Sequence, residues 1–153
     1  MRVLWTHNFD PHKSKQVFLQ TTVDGLRTRG VDPHLEYLGN LRSVRNLWRA
    51  RRRVRELSKE FDIVHAQYGS ACALATAEAD GMPRVLSIRG SDWNTYHDSF
   101  ESPYFHTRLA SAMTRLSIGR YDCVLAVSKR LATAVKNVFP RSNVATLPSP
   151  IDL

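Results

Sequence analysis

Four short polar stretches hold the residue types that chemistry needs. Arg89-Gly-Ser-Asp92 sets a permanently charged, planar donor three residues from a carboxylate. A guanidinium binds phosphate oxygens in pairs, and the carboxylate either accepts sugar hydroxyls or pairs with the arginine. The other three are His7-Asn8-Phe9, Gln67-Tyr68-Gly69-Ser70 and Ser128-Lys129. Tyr68, Trp93 and Tyr96 either stack on a sugar ring or pack beneath a loop. His7 reads as a cleft residue or as a satisfied core histidine, and His65, in mid-strand, as structural. Ser128 reads first as a helix N-cap.

Several chemistries lack their residues. There is no G-x-x-x-x-G-K-[ST], no G-x-G-x-x-G and no G-x-S-x-G, which weakens kinase, dinucleotide and hydrolase readings. His7 and His12 stand five apart without a third ligand, so no metal is expected. Cys72 and Cys123 lie in separate apolar stretches and read as buried, reduced thiols. No apolar run approaches the ~20 residues of a membrane span, and the N-terminus lacks the apolar core of a signal peptide. The expected location is cytoplasmic.

The elements that must hold these residues alternate regularly. Strand signals occur at Arg2 to His7, Pro33 to Leu38, Asp62 to Gln67, Arg84 to Ile88, Asp122 to Val127 and Asn143 to Leu147. Helical spacing fills the gaps: Ser14 to Arg29, Arg42 to Glu60, Ser70 to Ala79, a helix opened by Ser102-Pro103, and one capped by Ser128. Val44, Leu47, Val54, Leu57 and Phe61 are expected on the buried side of the second helix. In the fourth, Phe105, Leu109, Ala112, Met113 and Leu116 form the apolar stripe. The alternation predicts an α/β fold: a Rossmann-like, doubly wound parallel sheet of about six strands, in the order 3-2-1-4-5-6. In such sheets ligands bind beyond the carboxyl ends of the strands, where all four polar stretches fall.

Charge is concentrated. The chain carries a net +8, and Arg42 to Lys59 alone contributes eight basic residues against one acid, Glu56. This basic helix has three readings: a solvated face, a surface for anionic lipid with Arg45, Arg49, Arg52 and Arg53 facing the membrane, or a nucleic-acid contact. No recognised nucleic-acid motif accompanies it, and no nucleic-acid partner is expected.

The runs DIVHAQYG, VLSIRGSD, CVLAVSKRLATAV and VATLPSPIDL, in that order, resemble the N-terminal domain of retaining GT-B glycosyltransferases of family 4. The resemblance spans nearly the whole chain. It implies one half of a GT-B fold: residues 1–147 as the acceptor-side domain, residues 148–153 as the start of a hinge, and a C-terminal domain, absent here, that binds a nucleotide-sugar donor. It implies no cofactor and no metal. Residues His7 to Gln16 would face the inter-domain cleft. Family members often carry glycines there; this chain has Pro11-His-Lys-Ser-Lys15, so Lys13 and Lys15 would act by charge. Arg89 stands where the family often has His, with Gly90 and Asp92 matching. An arginine cannot serve as general base, so the implied catalytic role of Arg89, with Asp92, is electrostatic. His7, Asn8, Tyr68, Gly69, Gly90, Ser128 and Lys129 are the implied substrate-binding residues.

The expected function is acceptor binding in a transferase that moves a sugar from a nucleotide-sugar to a glycan or lipid-linked acceptor. The chain alone is expected to be inactive, with possible peripheral contact to the inner membrane face. Two alternatives stay open: a self-contained α/β ligand-binding or regulatory module, and half of a GT-B nucleotide-sugar epimerase.

Overall fold

The computed structural model describes residues 1–9, 17–93 and 105–148. Six parallel strands form one sheet: β1 (Arg2–His7), β2 (Asp32–Tyr37), β3 (Ile63–Ala66), β4 (Arg84–Ile88), β5 (Cys123–Ala126) and β6 (Val144–Thr146). Five helices alternate with them: α1 (Val17–Arg27), α2 (Val44–Leu57), α3 (Ser70–Thr76), α4 (Phe105–Ile118) and α5 (Lys129–Val138). This is the expected Rossmann-like α/β architecture. Lys13, Lys15, Tyr96, Ser102, Pro103 and residues 149–153 of the expected hinge lie outside the described residues.

The strand order differs from expectation. It is β2-β1-β3-β4-β5-β6, not 3-2-1-4-5-6. β3 pairs directly with β1, from Val3 beside Ile63 to Thr6 beside Ala66. The expected order would bury β2 between two neighbours. Its sequence, Asp-Pro-His-Leu-Glu-Tyr, opposes that: Pro33 has no N–H for a second ladder, and polar residues alternate along it. β2 is therefore an edge strand.

Order and handedness together decide which face each helix covers. The chain steps once to one side of β1 and then always to the other. Right-handed crossovers place α1 on one face and α2 to α5 on the opposite one. Two separate cores follow. Val3, Trp5 and Val23 form a small one beneath α1. Leu4, Val64, Ala66, Leu86, Ile88, Val124 and Ala126 belong to the large one under the other helices. Alternate residues of β3, β4 and β5 thus point to opposite faces, and the helix-rich face takes the fully buried set.

The expected buried side of α2 holds except at its first residue: Val54 is buried and Leu47, Leu57 and Phe61 pack against the core, while Val44 is 85% exposed. The face of α4 differs from the expected one. In α4, Leu116 is 76% exposed and Leu109 is also exposed. The buried side of α4 consists of Ser111, Thr114, Ser117 and Ile118. It packs on alanine-rich α3, where Ala71, Ala73 and Ala75 are buried. Small residues on both helices permit this approach, and the Thr114 hydroxyl meets the Ser70 N–H across it.

Candidate functional site

The four polar stretches gather at the carboxyl edge of the sheet, as strand direction requires. Two of their turns are fixed by Asp92. Its carboxylate accepts from the backbone N–H groups of Gly69 at 2.8 Å, Arg89 at 2.9 Å and Gly90 at 2.9 Å. Thr114 completes the junction: its hydroxyl donates to the Asp92 carbonyl at 2.8 Å and accepts from the Ser70 N–H at 2.7 Å. One carboxylate thus joins the turn after β3 to the turn after β4. Burial pushes the Asp92 carboxyl up from its ordinary range, opposed by those same amide bonds.

This geometry corrects the expectation that Asp92 is catalytic. The residue is 0% exposed, so no sugar hydroxyl reaches it. It meets Arg89 through that residue's backbone N–H. Two glycines expected to bind substrate serve the same junction. A Cβ on Gly69 would lie 2.5 Å from Thr114 Oγ1 and 2.8 Å from Asp92 Oδ2. Gly90 has φ +115°, a conformation that other residues rarely adopt. Ser70 opens α3 at φ 59°, a left-handed conformation held by its bond to Thr114.

Arg89 leaves this turn in a different direction. Its Nε donates to the Gln67 carbonyl at 3.2 Å and its Nη2 to Gln67 Oε1 at 3.3 Å. Gln67 Nε2 meets His65 Nδ1 at 3.2 Å, and His65 Nε2 meets Ser87 Oγ at 2.8 Å. A polar string of four side chains therefore fixes the guanidinium. Desolvation, with the nearby Arg89 charge, holds His65 down to about 3, so its ring is neutral at physiological pH. The expectation of a structural His65 agrees with these contacts.

The same residues line a trough of about 570 Å³ on the sparsely covered sheet face. Its walls are Trp5, Leu26, Val85, Leu125 and Val127, and Arg89 sits at its carboxyl end. Trp93, by contrast, is buried between Phe139, with ring centroids 6.1 Å apart, and the Arg115 guanidinium at 4.8 Å. It packs rather than stacks on a sugar.

A row of rings crosses the rim above β2, β1 and β3. Tyr37 lies 5.6 Å from His7, His7 lies 6.2 Å from Phe9, and Phe9 lies 5.6 Å from Tyr68. The Tyr68 hydroxyl reaches Ser91 Oγ at 2.5 Å. His7 is a buried member of the row, and burial lowers its pKa, so it too is neutral. Asn8 is half-buried beside it. Tyr37 was missed in the sequence because its alternation marks only a strand; the parallel register that sets it beside His7 is a tertiary fact.

Across the sheet, Ser128 accepts from the Leu131 N–H at 3.2 Å, the N-cap expected of it. Ser128 and Lys129 are exposed at the carboxyl end of β5.

The basic helix divides into three sides. Arg51 and Arg55 bond Glu78 at 2.5 and 2.6 Å, joined by Arg120 at 3.1 Å. Burial would raise the Glu78 carboxyl; the Arg51 and Arg55 hydrogen bonds outweigh it and hold it below the ordinary range. Arg53 turns to Glu36 on β2, at 2.5 Å. Arg45, Arg49 and Arg52 remain exposed beside Trp48, itself 60% exposed. Arg52 pairs only within the helix, with Glu56 at 3.0 Å. Of the four arginines expected to face a membrane, Arg53 is thus engaged with the fold. No helix among the described residues is long and apolar enough to cross a membrane. Among the described residues no group of acidic, histidine or cysteine side chains forms a metal site.

The model of Glycosyltransferase Family 4 matches residues 2–153. No curated protein matches the chain.

Proposed function

The chain belongs to Glycosyltransferase Family 4, and from that premise we propose that it is the acceptor-binding domain of a retaining transferase. The donor in this reading is a nucleotide-sugar and the acceptor a glycan or lipid-linked sugar. Arg89 carries the reading: a guanidinium fixed by Gln67 at the carboxyl end of the central strands, next to an aromatic rim. Breaking the bond between the anomeric carbon and the diphosphate leaves negative charge on the leaving group. A preoriented guanidinium offsets that charge without reorganising as it develops. His7, Asn8, Tyr68 and Lys129 line the same edge for the substrate, and Lys13 and Lys15 add cationic charge. Asp92, Gly69 and Gly90 position the loops.

Donor binding falls to a second domain, and the trough on the thinly covered face supports a packing partner. A parallel sheet normally buries both faces. The outward side of α2 supports peripheral docking on anionic lipid, with Trp48 between Arg45 and Arg52.

The test is transfer itself. In an enzyme completed by a donor-binding domain, Arg89→Gln lowers kcat by about 10²-fold, the usual effect of losing one charge-stabilising donor, while the folded spectrum is unchanged. The 153-residue chain alone releases no nucleoside diphosphate. Turnover by the chain alone, or an unaffected Arg89→Gln enzyme, defeats the proposal. Epimerised sugar with no acceptor product replaces it with the epimerase reading.

A further inference from the structure

We propose that a second hollow, at the carboxyl end of β2, holds an anionic group on the acceptor: a phosphate or carboxylate joined to a sugar ring. The proposal rests on the acceptor-binding reading and adds the acceptor's charge. The hollow has a volume of about 320 Å³ and is lined by Tyr37, Asn40, Asn46, Arg49 and Arg53. It adjoins the aromatic rim, since Tyr37 is in ring contact with His7.

Its chemistry comes from what is used and what is spare. Arg53 forms an ion pair with Glu36 through Nε, at 2.5 Å, with its terminal nitrogens outside that contact. Glu36 is buried, and its carboxylate is paired with Arg53. Arg49, one helical turn earlier on α2, forms no ion pair among the described residues. Two guanidiniums thus border one hollow with a single compensating acid behind them. Tyr37, 40% exposed, supplies a ring for the apolar face of a sugar. Asn46 Nδ2 donates to the Asn40 carbonyl at 2.9 Å and holds the loop shut against α2. A neutral glycan would offer the guanidiniums hydroxyls without charge, and bare phosphate would leave Tyr37 unused. A charged sugar uses the ring and both charges.

The experiment is titration of the isotope-labelled chain, followed by NMR, with glucose 6-phosphate, glucose, inorganic phosphate and phosphatidylglycerol vesicles. Glucose 6-phosphate is expected to shift Tyr37, Asn40 and Arg49 saturably, binding at least tenfold tighter than glucose or inorganic phosphate. Arg49→Gln is expected to weaken it about tenfold with the rest of the spectrum unmoved. Tyr37→Leu is expected to weaken glucose 6-phosphate but not inorganic phosphate. Equal binding of phosphate and sugar phosphate, or no effect of Arg49→Gln, overturns the proposal. So does an Arg49 that matters only for vesicles, which would assign it to a lipid surface. No donor is present in this titration. Its failure therefore removes the hollow and leaves the transfer reading, and failure of the transfer assay leaves the hollow's affinity intact.

Discussion

Gly69 is held by sterics rather than by backbone freedom. Its φ is ordinary, yet a methyl group there would collide with the Asp92 carboxylate and Thr114. Gly69→Ala should cost about 1–3 kcal/mol, as overpacking does elsewhere, seen as a lower urea midpoint. An unshifted midpoint would mean the two turns are not locked together. His65 gives a pH signature. Its folded pKa, about 3, lies below the ordinary 6.5 of an unfolded chain. The stability it contributes is present in full above pH 6.5. Below that, the unfolded chain takes up a proton that the native state refuses, and stability falls until about pH 3. The slope approaches about 1.4 kcal/mol per pH unit for one proton. His65→Gln, which keeps a partner for Ser87, should flatten urea midpoints measured between pH 6.5 and 4. A wild-type midpoint that rises on acidification in this range would contradict the assignment.

At the scale of elements, α2 shows how one composition serves several ends. Six arginines within α2 suggest a single charged face, but the 3.6-residue period distributes them round the helix. Arg51 and Arg55 tie α2 to Glu78, just past α3, and Arg120 brings in the end of α4. Glu78→Ala leaves three partly exposed guanidiniums without their acceptor. The expected loss is about 1–3 kcal/mol, less than for a fully buried pair because solvent reaches the arginines. Chemical denaturation checks it, and a neutral result would make the cluster ornamental. The outward arginines are expected to act differently. Arg45→Gln with Arg52→Gln should leave the urea midpoint alone and weaken binding to phosphatidylglycerol vesicles. At about 1 kcal/mol per charge near an anionic surface, the loss is roughly thirtyfold. Vesicle binding unchanged by both substitutions would remove the membrane from the account.

For the whole molecule, the uneven cover of the sheet is the main consequence of topology. With β2 at the edge and a single step to its side, α1 is the one described helix on its face. The trough it leaves over β3, β4 and β5 is lined chiefly by apolar side chains. The native chain by itself should therefore bind an apolar fluorescent dye or self-associate, and a partner that packs on this face should suppress both. A chain that stays monomeric and dye-free would show the face to be covered already.

Alternation of strand and helix signals was enough to read the element order and the α/β class, because each element writes its own period locally. The same locality placed Arg89, Tyr68, His7 and Ser128 at strand ends, and with them the edge where a ligand is expected. Pro33 in fact marked β2 as an edge strand, a local signal that the expected order overrode. What sequence could not supply was mutual placement. Asp92 reads as an exposed acid beside an arginine, and only packing against Gly69 and Thr114 makes it a buried clasp. Leu109 and Leu116 look like a core stripe, but the space beside α3 admits Ser111, Thr114 and Ser117 instead. Local periodicity thus determined which elements form and what their ends carry. Strand pairing and steric fit, which join residues 20 to 70 positions apart, decided which of those ends meet and which side chains face a ligand.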